Sequence, residues 1–467
     1  LGGKNVSQSL NQNSKAIIIG LTDTGEMIPA AAGRISTQSG TAEEILLRSQ
    51  DGEKNANLIS KVTRSGHNST IEHTVYNIAF QNVSVAVEQF VIEFRLASYT
   101  VKSRRYVDFA SLGYYTPNFS NAGVTERYRQ HINYLYSEYE YFLQQGIEKE
   151  DARFLLPYSL YSNFYCTINA RELIHMLYAM IYGRGKAFPE IYELGNSLLL
   201  QAKAKTPGIF IDFEMRRPVK ADVLQIDYYE TDTKSTFENE LAELLSFSLE
   251  PEKSVARAAL IEYTNLSSKA IEKIVSDKKE REKIIKELLS TSRPRALESV
   301  NFTFRLNGVS LACITHFARH RIQSAGFPSL ILTDRAKYII PPSVKENEEL
   351  KERYIAAFSK TKKLYEEFKA LGISEELLVY LQLSGNALDF VTTMNARQLL
   401  LFLRLRTCNR AQWEIRDFAI DMLKILRKQA PAIFNAYGPG CYLGKCPEGP
   451  MTCGKAAEVI EYFSPNY

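Results

Sequence analysis

The stretch Val309-Ser310-Leu311-Ala312-Cys313-Ile314-Thr315-His316-Phe317-Ala318-Arg319-His320-Arg321-Ile322-Gln323-Ser324 has a counterpart 226 residues earlier, Val83-Ser84-Val85-Ala86-Val87-Glu88-Gln89-Phe90-Val91-Ile92-Glu93-Phe94-Arg95-Leu96-Ala97-Ser98. The same offset superposes Glu72 on Glu298, Ser103 on Ser329 and Asn169-Ala170-Arg171 on Asn395-Ala396-Arg397, with no gap needed. A period above two hundred residues is not a solenoid unit; it means that a whole domain occurs twice in the chain. Proline at Arg217-Pro218 marks the expected boundary, which gives copies at 1–219 and 220–467. The alternating run Asp222-Val223-Leu224-Gln225-Ile226-Asp227-Tyr228 is the expected opening strand of the second copy, as Ala16-Ile17-Ile18-Ile19 is of the first.

Within each copy the pattern switches between the two periods. The β-like runs Thr74 to Phe80 and Val300 to Leu306 precede the apolar stretches quoted above. Capping boxes at Asn169-x-x-Glu172 and Asn395-x-x-Gln398 then announce leucine-rich helices. The expected class is α+β: two tandem copies of one domain, each an antiparallel or mixed sheet with helices. Leu1 to Asn13 is polar and rich in Gly, Ser and Asn, and reads as a disordered end. The charge run Lys278 to Lys286 reads as a solvated helix face.

Composition narrows the function classes. With 45% hydrophobic and 24% charged residues the chain is globular rather than disordered. Apolar runs such as Leu399 to Leu403 fall far short of the ~20 residues that cross a bilayer, so no membrane partner and a cytoplasmic location are expected. Lys plus Arg exceed Asp plus Glu only as 57 to 53, too even for a duplex-nucleic-acid binder. Six cysteines in 467 residues form no disulfide framework. Cys166 and Cys313 lie in apolar stretches and read as inert, whereas Cys408, between Arg406 and Arg410, has an electropositive setting. The tail Cys441-x4-Cys446-x6-Cys453 lacks the paired spacing of common zinc sites and a visible fourth ligand; no metal is expected.

Candidate chemistry sits in clustered cations. Arg319-His320-Arg321 closes an apolar stretch, and guanidinium forks with a titratable imidazole suit a phosphate or pyrophosphate. In Ser98-Tyr99-Thr100-Val101-Lys102-Ser103-Arg104-Arg105-Tyr106, a serine hydroxyl with an arginine two residues on can hold a nucleotide monophosphate. Arg153 and Arg406 each place a guanidinium beside apolar neighbours.

These motifs resemble the flavin-dependent thymidylate synthases. Their signature runs Arg-His-Arg, two residues, Ser, one residue, Asn-Glu, one residue, Ser, one residue, Arg-Tyr. Copy one has Glu93-Phe94-Arg95 at its start yet ends in Ser103-Arg104-Arg105-Tyr106, whereas copy two keeps Arg319-His320-Arg321 and then reads Ser329-Leu330-Ile331-Leu332. The losses alternate downstream too: Arg153 has Val379 as its counterpart, and Arg406 has Met180. The glutamate position holds Val101 and Phe327. The resemblance implies composite sites, with Ser103, Arg105 and Arg153 of copy one and Arg319 and Arg406 of copy two as substrate-binding residues and Arg406 as the catalytic one. It further implies FAD at Arg319, His320, Arg321, His67, Ser69, Asn169, Arg171, His175 and Asn395. Arg293 and Arg295 stand at the places of His67 and Ser69 in copy two.

The implied reaction is methylation of deoxyuridine monophosphate (dUMP) to thymidylate, with methylenetetrahydrofolate as carbon donor and NADPH as reductant. Two chains would rebuild the family's four-domain assembly as a homodimer. The alternative is a homologue that binds flavin or nucleotide without turnover.

Overall fold

The computed structural model describes residues 14–105, 107, 112–220, 222–224 and 240–464. Leu1–Asn13 and Tyr106 lie outside them. The chain divides into two compact units, Leu1–Thr233 with Ile340–Ser384, and Lys234–Ile339 with Gly385–Tyr467. The units therefore part the chain differently from the expected copies, because 340–384 of the second copy belongs with the first unit.

The first unit holds a sheet of β1 (Lys15–Leu21), β2 (Val75–Ser84), β3 (Ala97–Val101) and β4 (Tyr161–Asn169), in the order β1-β2-β4-β3 with antiparallel neighbours. The second repeats it with β5 (Ala242–Phe247), β6 (Asn301–Ser310), β7 (Ser324–Gly326) and β8 (Ala387–Asn395), ordered β5-β6-β8-β7. Register repeats as well: Phe80 faces Phe164, and Leu306 faces Phe390. Each long strand carries a bulge at a left-handed residue, Asn82 at φ 49° and Gly308 at φ 65°. Tyr76, Ile78 and Phe80 alternate inward and are fully buried, so one sheet face makes the core.

The opening strand expected at Asp222–Tyr228 is not the counterpart of β1. Residues 222–224 form a bend, 225–228 lie outside the described residues, and the pairing strand is Ala242–Phe247. The 226-residue offset places Ala242 on Ala16, in the counterpart strand.

Both long strands run directly into a helix buried on every side, α1 (Val85–Ile92) and later Leu311–Ala318. Ser84 and Ser310 cap them, accepting from Val87 N (3.2 Å) and Cys313 N (3.0 Å). A buried carboxylate takes each serine's own N–H: Glu190 Oε1 at 2.9 Å from Ser84 N, and Glu414 Oε1 at 2.6 Å from Ser310 N. Glu190 also accepts from Ser14 Oγ (2.7 Å) and Tyr380 OH (3.1 Å).

The helices announced by Asn169 and Asn395 are α2 (Ala170–Ile181) and Ala396–Arg406. Each Asn side chain caps as expected, accepting from Glu172 N at 2.9 Å and Gln398 N at 2.8 Å. The Glu172 carboxylate, however, turns to Leu96 N at 3.4 Å, so the cap forms while that arm serves the loop before β3.

In the first unit the helices Ala122–Gln144 and Glu348–Ala370, counterparts 226 residues apart, pack on each other. Arg353 grips Glu138 with two hydrogen bonds (3.0 and 2.8 Å), and Tyr141 OH donates to Glu349 at 2.8 Å. Below them, Tyr158 N donates to Gln382 O (2.8 Å) and Ser384 N to Leu156 O (2.9 Å). Because Leu156 and Gln382, and Tyr158 and Ser384, are counterparts, this pairing is locally two-fold, like an isologous interface. Among the described residues, no helix is long and apolar enough to cross a membrane.

Two outcomes follow from this packing. Glu414→Leu strands the Ser310 N–H and hydroxyl in the core and lowers stability by about 1–3 kcal/mol for each unsatisfied group, read as a shift of the urea midpoint. His131 Nε2 lies 2.9 Å from Thr361 Oγ1 between the paired helices. Burial, then the Lys360 charge, push its pKa from 6.5 down to about 4. The unfolded chain therefore takes that proton first, and stability drains as pH falls from 6.5 toward 4. His131→Gln removes this part of the acid sensitivity, measured by midpoints at several pH values across that window.

Candidate functional site

In the first unit three of the expected substrate residues meet around one acid. Arg105 pairs with the Glu150 carboxylate, Arg153 Nε donates to the Glu150 carbonyl at 3.0 Å, and Arg105 N donates to Ser103 Oγ at 3.3 Å. Arg153 does not snorkel: it is 3% exposed, on the short helical turn Arg153–Leu155. Glu150 gave no sign in sequence, because an acid in Glu148-Lys149-Glu150-Asp151 reads as solvated surface.

Between Ser103 and Arg105, Arg104 turns inward. It makes a two-pronged pair with Glu88 at 2.9 and 3.0 Å, both side chains being buried.

The same unit holds a cavity of about 470 Å³ lined by Arg64, Asn68, Arg171, His175, Tyr178 and Arg216 among others. Arg171 pairs with Glu72 at 2.7 Å, and His175 Nδ1 stands 3.5 Å from Glu172. His67 and Ser69 are exposed beside Asn68, and Asn169 is committed to its cap. Arg64 and Arg216 were not singled out in the sequence.

Where the signature's Arg-His-Arg would lie in copy one, Glu93 accepts from Arg184 Nη2 at 3.0 Å, and that guanidinium also covers the rings of Phe90 (4.9 Å) and Phe94 (5.3 Å). Burial raises the Glu93 pKa to about 7 against the opposing pull of Arg184. A carboxylate, a phenyl ring and the buried Met180 thus fill the places where copy two has Arg319, His320 and Arg406.

In the second unit, Arg319-His320-Arg321 follows the helix Leu311–Ala318, with His320 turned inward at 6% exposure and both arginines exposed. Arg406, last residue of its helix, donates from Nε to His320 Nε2 at 2.8 Å, and His320 stands edge-on to Phe402 at 5.0 Å. Burial, then the Arg406 charge, hold the His320 pKa down at about 3, so the imidazole is neutral at physiological pH. Nε2 accepts, which puts the ring proton on Nδ1 and fixes the direction of the Arg406 guanidinium. The titratable donor expected of His320 is therefore an orienting acceptor toward Arg406.

This unit also carries a cavity of about 770 Å³, lined by Arg295, Glu298, Asn395, Arg397, Arg404 and Tyr437 among others. Arg397 and Arg295 share Glu298, at 2.5 and 3.2 Å. The Glu298–Arg397 pair is the counterpart of Glu72–Arg171, so both cavities occupy the same place in the repeat.

Cys166 and Cys313 are buried as expected, and burial pushes the Cys166 thiol up to about 12. The electropositive setting read for Cys408 does not activate it. Its pKa is raised by burial and by the nearby Glu448, Cys453 and Cys446, with only the Arg410 N–H opposing. Asn409 Nδ2 approaches Cys453 Sγ at 4.0 Å, so the tail folds back beside Cys408, a proximity hidden in the sequence. Among the described residues, no group of three or more His, Cys, Asp or Glu is arranged to hold a metal ion.

Comparison with known proteins places both halves together. The family described as thymidylate synthase complementing protein matches residues 18–208 and again 243–432. The flavin-dependent thymidylate synthase of Clostridium tetani is 36% identical over 238 residues, covering 47% of this chain and 95% of that protein. That of Geobacter sulfurreducens is 34% identical over 224 residues, covering 47% and 96%. A solved structure of the UMP/dUMP methylase PolB from Streptomyces cacaoi, bound with 5-Br dUMP, is 22% identical, covers 44% of this chain and 98% of its own, and has a TM-score of 0.38. With its two regions matched in tandem, the chain belongs to the thymidylate synthase complementing protein family, the flavin-dependent thymidylate synthases, and carries the family's domain twice.

Proposed function

We propose that the chain methylates deoxyuridine monophosphate to thymidylate, with methylenetetrahydrofolate as carbon donor and NADPH as reductant of the flavin. The observation that carries this reading is the Arg406–His320 hydrogen bond of 2.8 Å. C5 of the pyrimidine becomes nucleophilic when negative charge on the N3/O4 side is stabilised, and an oriented guanidinium in a water-poor place does that without a covalent adduct. Neutral His320 spends its lone pair on Arg406 and adds no second positive charge.

The nucleotide phosphate fits Ser103, Arg105 and Arg153. Glu150 holds Arg105, and a phosphate competes for the same guanidinium. Complementary retention in the sequence supports sites that draw Ser103, Arg105 and Arg153 from copy one and Arg319 and Arg406 from copy two, and a homodimer that restores four domains.

A flavin dinucleotide needs cationic donors for its pyrophosphate and a cavity of several hundred Å³. Arg295 and Arg397 around the 770 Å³ cavity meet that need, with Asn395 on its wall and Arg321 nearby through its neighbour Ile322, which lines it. The smaller cavity offers Arg171 and His175 beside His67, Ser69 and Asn169. Bound flavin supplies the hydride that completes the methyl group.

One feature favours a second reading, a protein that binds flavin and nucleotide without turnover: Val101 and Phe327 stand where the signature has glutamate, so both copies lack it.

Incubation with dUMP, methylenetetrahydrofolate, FAD and NADPH should yield thymidylate; bound flavin and nucleotide without product would establish the second reading. Arg105→Ala abolishes dUMP binding and keeps flavin, whereas flavin loss overturns the role given to Arg105. Arg406→Ala keeps flavin, weakens dUMP binding and lowers kcat by about 10²–10³. Absorbance of FAD-saturated protein should give one flavin per chain with a spectrum that dUMP shifts.

A further inference from the structure

Arg104 lies between two residues assigned to the phosphate, yet its own side chain points into the protein. Its guanidinium meets both oxygens of Glu88 (2.9 and 3.0 Å), and Ser162 Oγ on β4 donates to Glu88 Oε2 at 2.5 Å. Glu88 and Ser162 are 0% exposed and Arg104 7%. Three elements are thereby tied at one point: α1, β4 and the segment that follows β3.

The counterparts of Glu88, Arg104 and Ser162 in copy two are Ile314, Leu330 and Leu388. All three positions change together, from an ionic triad to an apolar set, and Ile314 and Leu388 are buried. The fold therefore accommodates either solution. Buried ion pairs are poor stabilisers relative to well-packed apolar residues of similar volume, but a planar fork held by two hydrogen bonds fixes orientation in a way that aliphatic side chains do not. The ionic set stands in the copy that keeps Ser103 and Arg105, and the apolar set in the copy that has lost the arginine. Buried Tyr158, hydrogen-bonded to Gln89 at 2.6 Å, lies within electrostatic reach of Arg104, Glu88 and Arg153, so the anchor extends toward the third phosphate-binding residue.

We propose that Glu88, Arg104 and Ser162 are positioning residues for nucleotide phosphate: they hold the backbone on both sides of Arg104 so that Ser103 and Arg105 present their donors together. The proposal rests on the assignment of dUMP as ligand. Arg104 itself does not touch the nucleotide, and its effect is confined to the phosphate end.

The test transplants copy two's solution into copy one of the full chain, as Glu88→Ile, Arg104→Leu and Ser162→Leu together. Dissociation constants are measured for dUMP and for deoxyuridine, which lacks the phosphate, alongside flavin content and melting temperature. The expected result is a folded, flavin-binding protein whose dUMP affinity falls about 10–100-fold while deoxyuridine affinity stays, so that discrimination between the two collapses. Unchanged discrimination in the folded triple variant overturns the proposal, and so does equal weakening of both ligands, the mark of a general structural role. Should the triple variant not fold, Ser162→Ala, which removes only one hydrogen bond to Glu88, must lower the dUMP-to-deoxyuridine ratio by a smaller factor; no change overturns the proposal. Wild-type protein that ignores dUMP overturns the functional reading itself, which is a distinguishable result.

Discussion

Each half of the molecule depends on one buried carboxylate that accepts the N–H of a serine at a strand-to-helix junction, Glu190 for Ser84 and Glu414 for Ser310. A strand that becomes a helix with no intervening loop leaves first-turn donors without partners, and a helix buried on every side cannot give them to water. The serine side chain serves one donor and the carboxylate serves the serine's own. That arrangement fixes where the buried helix begins, and each helix runs for eight residues. Its end places Glu93-Phe94-Arg95 in one unit and Arg319-His320-Arg321 in the other. The glutamates lie inside the core at 1% and 4% exposure, so their acceptors cannot be replaced by solvent.

On this shared frame the two copies use opposite electrostatics. At the helix end, copy one holds an acid paired with Arg184, whose guanidinium lies over two aromatic rings, whereas copy two holds a neutral histidine that orients an arginine. At the segment after the third strand, copy one buries an ion pair where copy two has aliphatic residues. Such exchanges are possible because the frame is set by backbone hydrogen bonds and strand register, both of which are repeated with the same offset. The chemistry at each position is then free to diverge without cost to the sheet.

The paired helices of the first unit show the same economy in another way. Arg353 with Glu138, and Tyr141 with Glu349, join counterpart helices that lie far apart in sequence. The antiparallel contact of residues 156–158 with 382–384 is self-complementary because the segments descend from the same stretch of the repeat. Duplication inside one chain thus reproduces the symmetry that separate subunits would use.

Much of this was legible in the residues themselves. The 226-residue offset determined that there are two copies, and the β-like runs Thr74 to Phe80 and Val300 to Leu306 and the Asn169 and Asn395 caps were located, because these follow from local periodicity and capping chemistry that repeat in register. The same offset exposed which copy keeps Ser103, Arg105 and Arg153 and which keeps Arg319, His320 and Arg406. It did not reveal Glu150 under Arg105, Glu88 opposite Arg104, Glu93 against Arg184, or Cys453 folded back beside Asn409. Nor did it show that 340–384 joins the first unit. Those facts were decided by tertiary structure alone. Sequence pattern reports which side of an element faces the core, whereas partners from distant elements, and the protonation states they impose on groups such as His320, exist only once the chain has brought them together and excluded water.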